Sequence, residues 1–363
     1  MPAISKFDVT FRRLWNREPR TLKIQTLEML KKGEYYYLRP TWNTRLGEQY
    51  PVNRDERFGV ARETKWADAL WRGLFAPDKV DAATFAEWIF QFSPSERRIA
   101  SMLFDALDVY DDQRVMMELA KAFDRLPLAV KRDAAFVGLG HTAKSGHSLI
   151  YDFRKGIARL PEYQALYRGR EKLIFRSLAE FKMEVRGLPR PASFVFVDDF
   201  IGTGGQASDF ITWYFKDDGF DFLRESNVYL MVLAGFERAI STVETVLRSK
   251  IGGSHSCAVL SARLLTEEDR AFSHASPIWR DDAEADRAMT WAKELGQELL
   301  TTDPARDEGG GPLYKPAEDA LGWRDCQALI AFPHNIPSDT LPIFWSRGLR
   351  GGKPWVPLCE RSD

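Results

Sequence analysis

The chain has almost no cysteine. Cys257, Cys326 and Cys359 are the three in 363 residues, far apart, odd in number and without a CxxC pair. That spacing argues against a disulfide framework and against a zinc ribbon. It suits a reducing, cytoplasmic setting, which is the expected location. Long apolar runs are missing as well. The longest, VYLMVLAGF, falls far short of the roughly 20 residues that cross a bilayer, so no membrane partner is expected. The opening MPAISKFDVTFRRLWN has no apolar stretch of a secretory leader. No HxH or HExxH spacing occurs, so no protein-held metal centre is expected.

Nor is there an excess of charge of one sign. The formal net charge of −1 gives no global basic field for nucleic acid. The balance is uneven along the chain, however. Residues 1–65 carry 14 Lys and Arg against 8 Asp and Glu, a net of +6, which leaves −7 for the remainder. Tyr35, Tyr36, Tyr37 and Trp42 lie among Arg12, Arg13, Lys31, Lys32 and Arg39 in that segment. Such a basic, aromatic arm suits single-stranded nucleic acid or docking on a partner protein.

What is present reads as an α/β protein. A short helix is expected near residue 20, then extended chain around Tyr35–Tyr37. From about 66 to 130 apolar residues recur at i, i+3 and i+4, the period of packed helices. Ser93-Pro94-Ser95-Glu96 looks like a helix start, with proline in its first turn. Beyond 131 unbroken apolar runs alternate with helical stretches. AAFVGLG, ASFVFVDD, NVYLMVLAGF, HSCAVLSARLL and CQALIAF are the expected strands of a parallel sheet of about five, covered by helices on both faces. Residues 170–185 read as helix. A charged insertion is expected over 266–316. The division is therefore an extension (1–65), a helical layer (66–130) and an α/β domain (131–363).

Ligands in such sheets bind at the carboxyl ends of the strands, where GHTAKSGHS, DDFIGTGG and PHNIPSDT fall. The middle loop is the most informative. Asp198 and Asp199 end a buried run, and Thr203, Gly204, Gly205 and Gln206 stand where a helix begins. Amides at a helix start have no intrahelical partner, and with the macrodipole they cradle an anion such as a phosphate. Two acids beside a phosphate site must serve another part of the ligand. The vicinal hydroxyls of a ribose fit, as does a hydrated Mg²⁺ carried by a diphosphate. Fixed carboxylates also stabilise positive charge developing on a sugar ring. A strand-end turn or a paired-acid metal site are the plainer alternatives.

The run Val197 to Gly205, VDDFIGTGG, resembles the phosphoribosyl-diphosphate motif of type I phosphoribosyltransferases. AFPHNIPSDTLPIFW, SERRIASMLFDAL and SGHSLIYDFRK resemble one branch, the PRTase-CE domain of bacterial conflict systems. The likeness spans roughly 90–350. It implies that Asp198 and Asp199 hold the ribose hydroxyls and residues 203–206 the 5′-phosphate. Lys144, Ser145 and Gly146 would hold the diphosphate, and Asn335 and Asp339 would be polar site residues. It implies phosphoribosyl diphosphate or a nucleotide as ligand, Mg²⁺ borne by the diphosphate, and a role in antiviral defence with a partner protein. Two departures stand out. An acid that handles the base's proton often occupies the position of Gly202, and losing a general base costs about 10²–10⁴ in rate. Gln206 replaces a hydroxyl residue. A catalytically degenerate nucleotide sensor is the alternative expectation.

Overall fold

The computed structural model describes the backbone of 9–12, 21–32, 35–42 and 59–62, and then residues 87–140, 145–159, 173–184, 190–216, 218–251, 253–305, 311–359 and 361. The first four segments are strands: β1 (Val9–Arg12), β2 (Thr21–Lys32), β3 (Tyr35–Trp42) and β4 (Gly59–Arg62), in an antiparallel sheet of order β1-β2-β3-β4. The helix expected near residue 20 is thus a strand. Its apolar residues sit at 22 and 24 and then at 27 and 29. That is alternation with a one-residue slip, and the ladder to β3 shifts register between Ile24 and Thr26. A bulge of this kind breaks the period-2 signal.

Of the helical layer expected over 66–130, residues 66–86 lie outside the described residues; the helix start read at Ser93-Pro94 is where the next helix begins. Helix α1 (Pro94–Ala106) has proline in its first turn, and Glu96 Oε2 accepts the Ser93 N–H at 2.7 Å. After β5 (Asp108–Val109), Asp111 caps α2 (Asp112–Asp124), accepting the Arg114 N–H at 2.6 Å. Short α3 (Leu128–Asp133) leads into the main sheet.

That sheet is built from β6 (Ala135–Gly138), β7 (Ile174–Phe175), β8 (Ser193–Ile201), β9 (Asn227–Phe236) and β10 (Cys257–Leu265), all parallel, in the order β10-β9-β8-β6-β7. Helices α4 (Ser145–Arg159), α5 (Leu178–Glu184), α6 (Gly205–Tyr214) and α7 (Glu237–Lys250) connect the strands. All nine residues of β8 are buried. Because successive strand residues face opposite sides, this requires cover on both faces, the expected α/β architecture.

The fifth strand is not the expected one. Ile174–Phe175, inside a stretch read as helix, takes the sheet edge beside β6. CQALIAF lies outside the sheet; its β11 (Ile330–Ala331) pairs with β5, and Ala328 forms a single bridge to Thr340. The reason is a second core. Ala328, Ile330 and Phe332 belong to the apolar cluster around the sheet, whereas Leu329 and Ala331 belong to another. The second cluster joins α1, the long helix α8 (Asp282–Thr302) within the expected insertion, and residues 341–359. An extended segment between two cores is apolar on both sides, which mimics a central strand. Helix α9 (Pro316–Asp319) and the hairpin β12 (Leu349–Arg350) and β13 (Lys353–Pro354) complete this half.

Candidate functional site

From β6 the chain steps outward to β7, then returns to the other side of β6 for β8. The order reverses between β6 and β8, and a crevice opens there beyond the strands' carboxyl ends. The two strands meet closely at that end: Gly138 is opposite Val197, and the Leu139 N–H donates to the Val197 carbonyl at 2.9 Å. The loops after β6 and β8 therefore leave the sheet side by side.

Asp198 and Asp199 are both in β8, 7% and 6% exposed. As neighbours on a strand they face opposite sides, so they do not form a pair on one face. Asp198 Oδ1 accepts the Asp199 N–H at 3.0 Å. Its charge is felt by Tyr214 of α6, whose hydroxyl is pushed up to about 12 by burial first and by Asp198 in addition. On the other side, Asp199 Oδ2 lies 3.3 Å from Nε2 of His334. A ligand that engages both acids must lie across the end of the strand.

The chain then turns into α6. Gly204 is the N-cap, at φ 79°, a conformation that costs glycine least. No side chain caps this helix start, so its amides keep the capacity to bind an anion. Arg324 lies over the same turn. A side chain built on Gly205 would begin 2.9 Å from Arg324 Nη1 and 3.7 Å from Thr203 Oγ1. Arg324 itself is at φ 51°, with its N–H donated to Asp319 Oδ1 at 2.9 Å and its guanidinium near the Trp323 ring. Among the described residues no ion pair to its guanidinium is seen, and the side chain is exposed. A pocket of about 450 Å³ opens here at the ends of β8, β9 and β10; Gly202 and Thr203 line it, and Arg238, Arg270 and Arg324 share it with Glu237, Glu267 and Asp325.

The loop 332–340 closes the site from the side of the second core. The Phe332 ring stacks on His334 and packs near Phe200 and Tyr110. Thr340 Oγ1 donates to the Ile330 carbonyl at 2.7 Å and fixes the loop's far end. Asn335 Oδ1 and Asp339 Oδ1 are sealed from solvent without a hydrogen-bond partner.

Of the residues expected to form a site, Asp198, Asp199, Thr203, Gly204, Gly205 and Asp339 converge. The Asp339 carboxylate is packed against Gly202, next to Thr203. Gln206 is exposed in the first turn of α6. Asn335 shares the loop of His334. Gly146 is buried in the first turn of α4, packed on Leu139 and the Val197 carbonyl. Lys144 and the Ser145 side chain lie outside the described residues. Sequence reasoning missed Arg324 and Tyr214. The Tyr214 hydroxyl, 3.1 Å from the Gly140 carbonyl, anchors the start of the loop after β6. Its helical position in an apolar stretch looked like core. Arg324 had no signal, because only a left-handed bend brings it back over a turn 120 residues earlier.

A parallel α/β sheet with paired strand-end acids and a glycine turn at its switch point defines a phosphoribosyltransferase-like protein. The PRTase-CE family model matches residues 85–361, and the chain belongs to that family. No curated protein and no solved structure matches the chain. Among the described residues no helix is long and apolar enough to cross a membrane.

Proposed function

We propose that the protein binds a 5-phosphoribosyl ligand, phosphoribosyl diphosphate or a nucleotide, and acts at its anomeric carbon by transfer or hydrolysis of a glycosidic bond. Family membership supports a phosphoribosyltransferase-like function. The observation that carries the finer reading is Arg324. Its exposed guanidinium stands beside the uncapped start of α6, so an anion entering there would meet both the guanidinium and the helix amides. A phosphate suits both partners.

With the phosphate there, the sugar extends towards the end of β8. Asp198 and Asp199 engage its hydroxyls from the two sides of the strand and stabilise charge as the ring becomes oxocarbenium-like. Lys144 and Ser145 follow β6, the strand paired with β8, and in this reading would hold a leaving diphosphate. No three His, Cys, Asp or Glu side chains converge as a metal-binding group among the described residues. The two buried acids nonetheless fit the water shell of a Mg²⁺ borne by a diphosphate. In an antiviral defence setting such an activity would drain nucleotide pools, with a partner protein or nucleic acid, through residues 1–65, as trigger.

The second reading is a sensor. Gly202 favours it, since no acid at that position can serve the base. Calorimetry with phosphoribosyl diphosphate, with and without Mg²⁺, tests the site. Binding that weakens at least tenfold in Arg324→Ala is expected, and no binding to the wild type overturns both readings. Mass spectrometry of a nucleotide mixture then separates them: new products indicate the enzyme, an unchanged mixture the sensor.

A further inference from the structure

Asp339 carries a carboxylate that the sugar and phosphate assignments leave unused. It stands where the side chain of residue 202 would be. A Cβ on Gly202 would lie 1.9 Å from Asp339 Oδ1 and 2.3 Å from its Cγ. Oδ1 is sealed from solvent and has no hydrogen-bond partner. The Cys326 thiol, the Thr203 N–H and Asp339's own N–H lie near enough to the carboxylate to draw its pKa down. Gly202, Thr203 and Cys326 all line the pocket at the strand ends. Asp339 is therefore directly behind the wall of the anion site, separated from it by Thr203.

We infer that the Asp339 carboxylate, packed against Gly202 at the start of the Thr203 turn, takes up a proton when an anion enters that turn. The inference rests on the phosphoribosyl reading. The proton comes from solvent and goes to Oδ1, the oxygen without a partner among the described residues; it leaves again with the ligand, and no other bond is made or broken. Ionised Asp339 would place a second negative charge beside the incoming phosphate.

The surroundings suit such a change. Burial pushes the Asp339 carboxyl up to about 6, against the Cys326 thiol, the more distant Arg361 and the Thr203 N–H, which draw it down. Cys326 stays a thiol, because burial and the Asp339 charge hold it well above its usual range, with Arg270 opposing. Arg324 lies across the turn and favours the ligand's anion. Asp198 and Asp199 add negative charge at the strand end, and His334 is beside Asp199. An anion on the far side of Thr203 raises the Asp339 carboxyl further. Each unit of that rise is a tenfold change in affinity. Below about pH 6 Asp339 is already neutral and costs the ligand nothing. Affinity then falls as pH rises towards 8. The ligand's own phosphate, which titrates near pH 6, gives the opposite sign, because a cationic cradle strips its proton.

The test is calorimetry of phosphoribosyl diphosphate at pH 6.5 in two buffers of different ionisation enthalpy, on the wild type and Asp339→Asn. The wild type should take up about half a proton more per ligand than the variant, for a one-unit rise. Between pH 6 and 8 the affinity ratio of variant to wild type should climb about fivefold, for the same one-unit rise. Equal proton counts in two proteins that both bind overturn the inference and leave the phosphoribosyl reading standing. Should Asp339→Asn fail to fold, Asp339→Ala takes its place in the same comparison, so that the ligand's own proton release again cancels in the difference and equal counts overturn the inference. No binding heat in the wild type overturns the phosphoribosyl reading itself.

Discussion

The core around the parallel sheet and the core around α1 and α8 are built from different kinds of sequence. In the first, each strand is a continuous apolar run, and neighbours in space are the next elements along the chain. In the second, the partners are far apart. Trp88 Nε1 donates to the Ile343 carbonyl at 2.8 Å and its ring stacks on Phe344 with centroids 5.2 Å apart, across some 255 residues. Gln91 reaches the Val356 carbonyl at 2.8 Å. The candidate site lies between the two. The sheet supplies the acids and the turn; the segments 322–326 and 332–340, which link the cores, supply Arg324, His334 and Asp339. Such a site depends on the second core for position, though its recognisable motif is wholly in the first.

That division can be broken from either side. The largest effect is expected from the sheet side. Asp198→Asn with Asp199→Asn removes both charges that meet the sugar, at about 1.5–3 kcal/mol for each charged hydrogen bond. Binding of phosphoribosyl diphosphate should fall by at least about 100-fold, while the melting temperature changes little by comparison. The single variants should differ, because the acids face opposite sides. In Asp199→Asn a loss of the His334 contact should appear as changed chemical shifts of the His334 ring by NMR.

From the other side, Phe344→Ala empties the fully buried position on which Trp88 stacks. A loss of about 3–5 kcal/mol in stability is expected by denaturant unfolding, with weakened ligand binding although no residue of the motif is touched. Unchanged affinity in the folded fraction would show that the site needs only the sheet.

The smallest expected effect is at the seam. Gly202→Ala forces a methyl group onto the Asp339 carboxylate, at about 1–3 kcal/mol. Asp339→Ala should recover most of that loss in the double variant. If it does not, the close approach between residues 202 and 339 is misplaced.

The same contrast explains what the sequence made legible. The strands of the main sheet, apart from its edge, could be read because burial on both faces writes itself as an unbroken apolar run. So could VDDFIGTGG, since a strand end, two acids and a glycine turn are all local features. Ile174–Phe175 was too short to carry a period. Ala328 to Phe332 was apolar on both sides for a different reason, its place between two cores. Arg324 and the reach of Asp339 into the space of residue 202 are products of long-range packing, and no spacing announces them. Gly202 looked like a loss of chemistry. In the fold it is the residue that leaves room for a carboxylate from elsewhere.

The most direct measurement of the central claim is amide hydrogen exchange with and without phosphoribosyl diphosphate. A pentose phosphate across the end of β8 should slow exchange at residues 203–208 and 332–340 together, and both effects should vanish in the Asp198→Asn, Asp199→Asn protein. Protection confined to other segments, or unchanged in that double variant, would contradict the account.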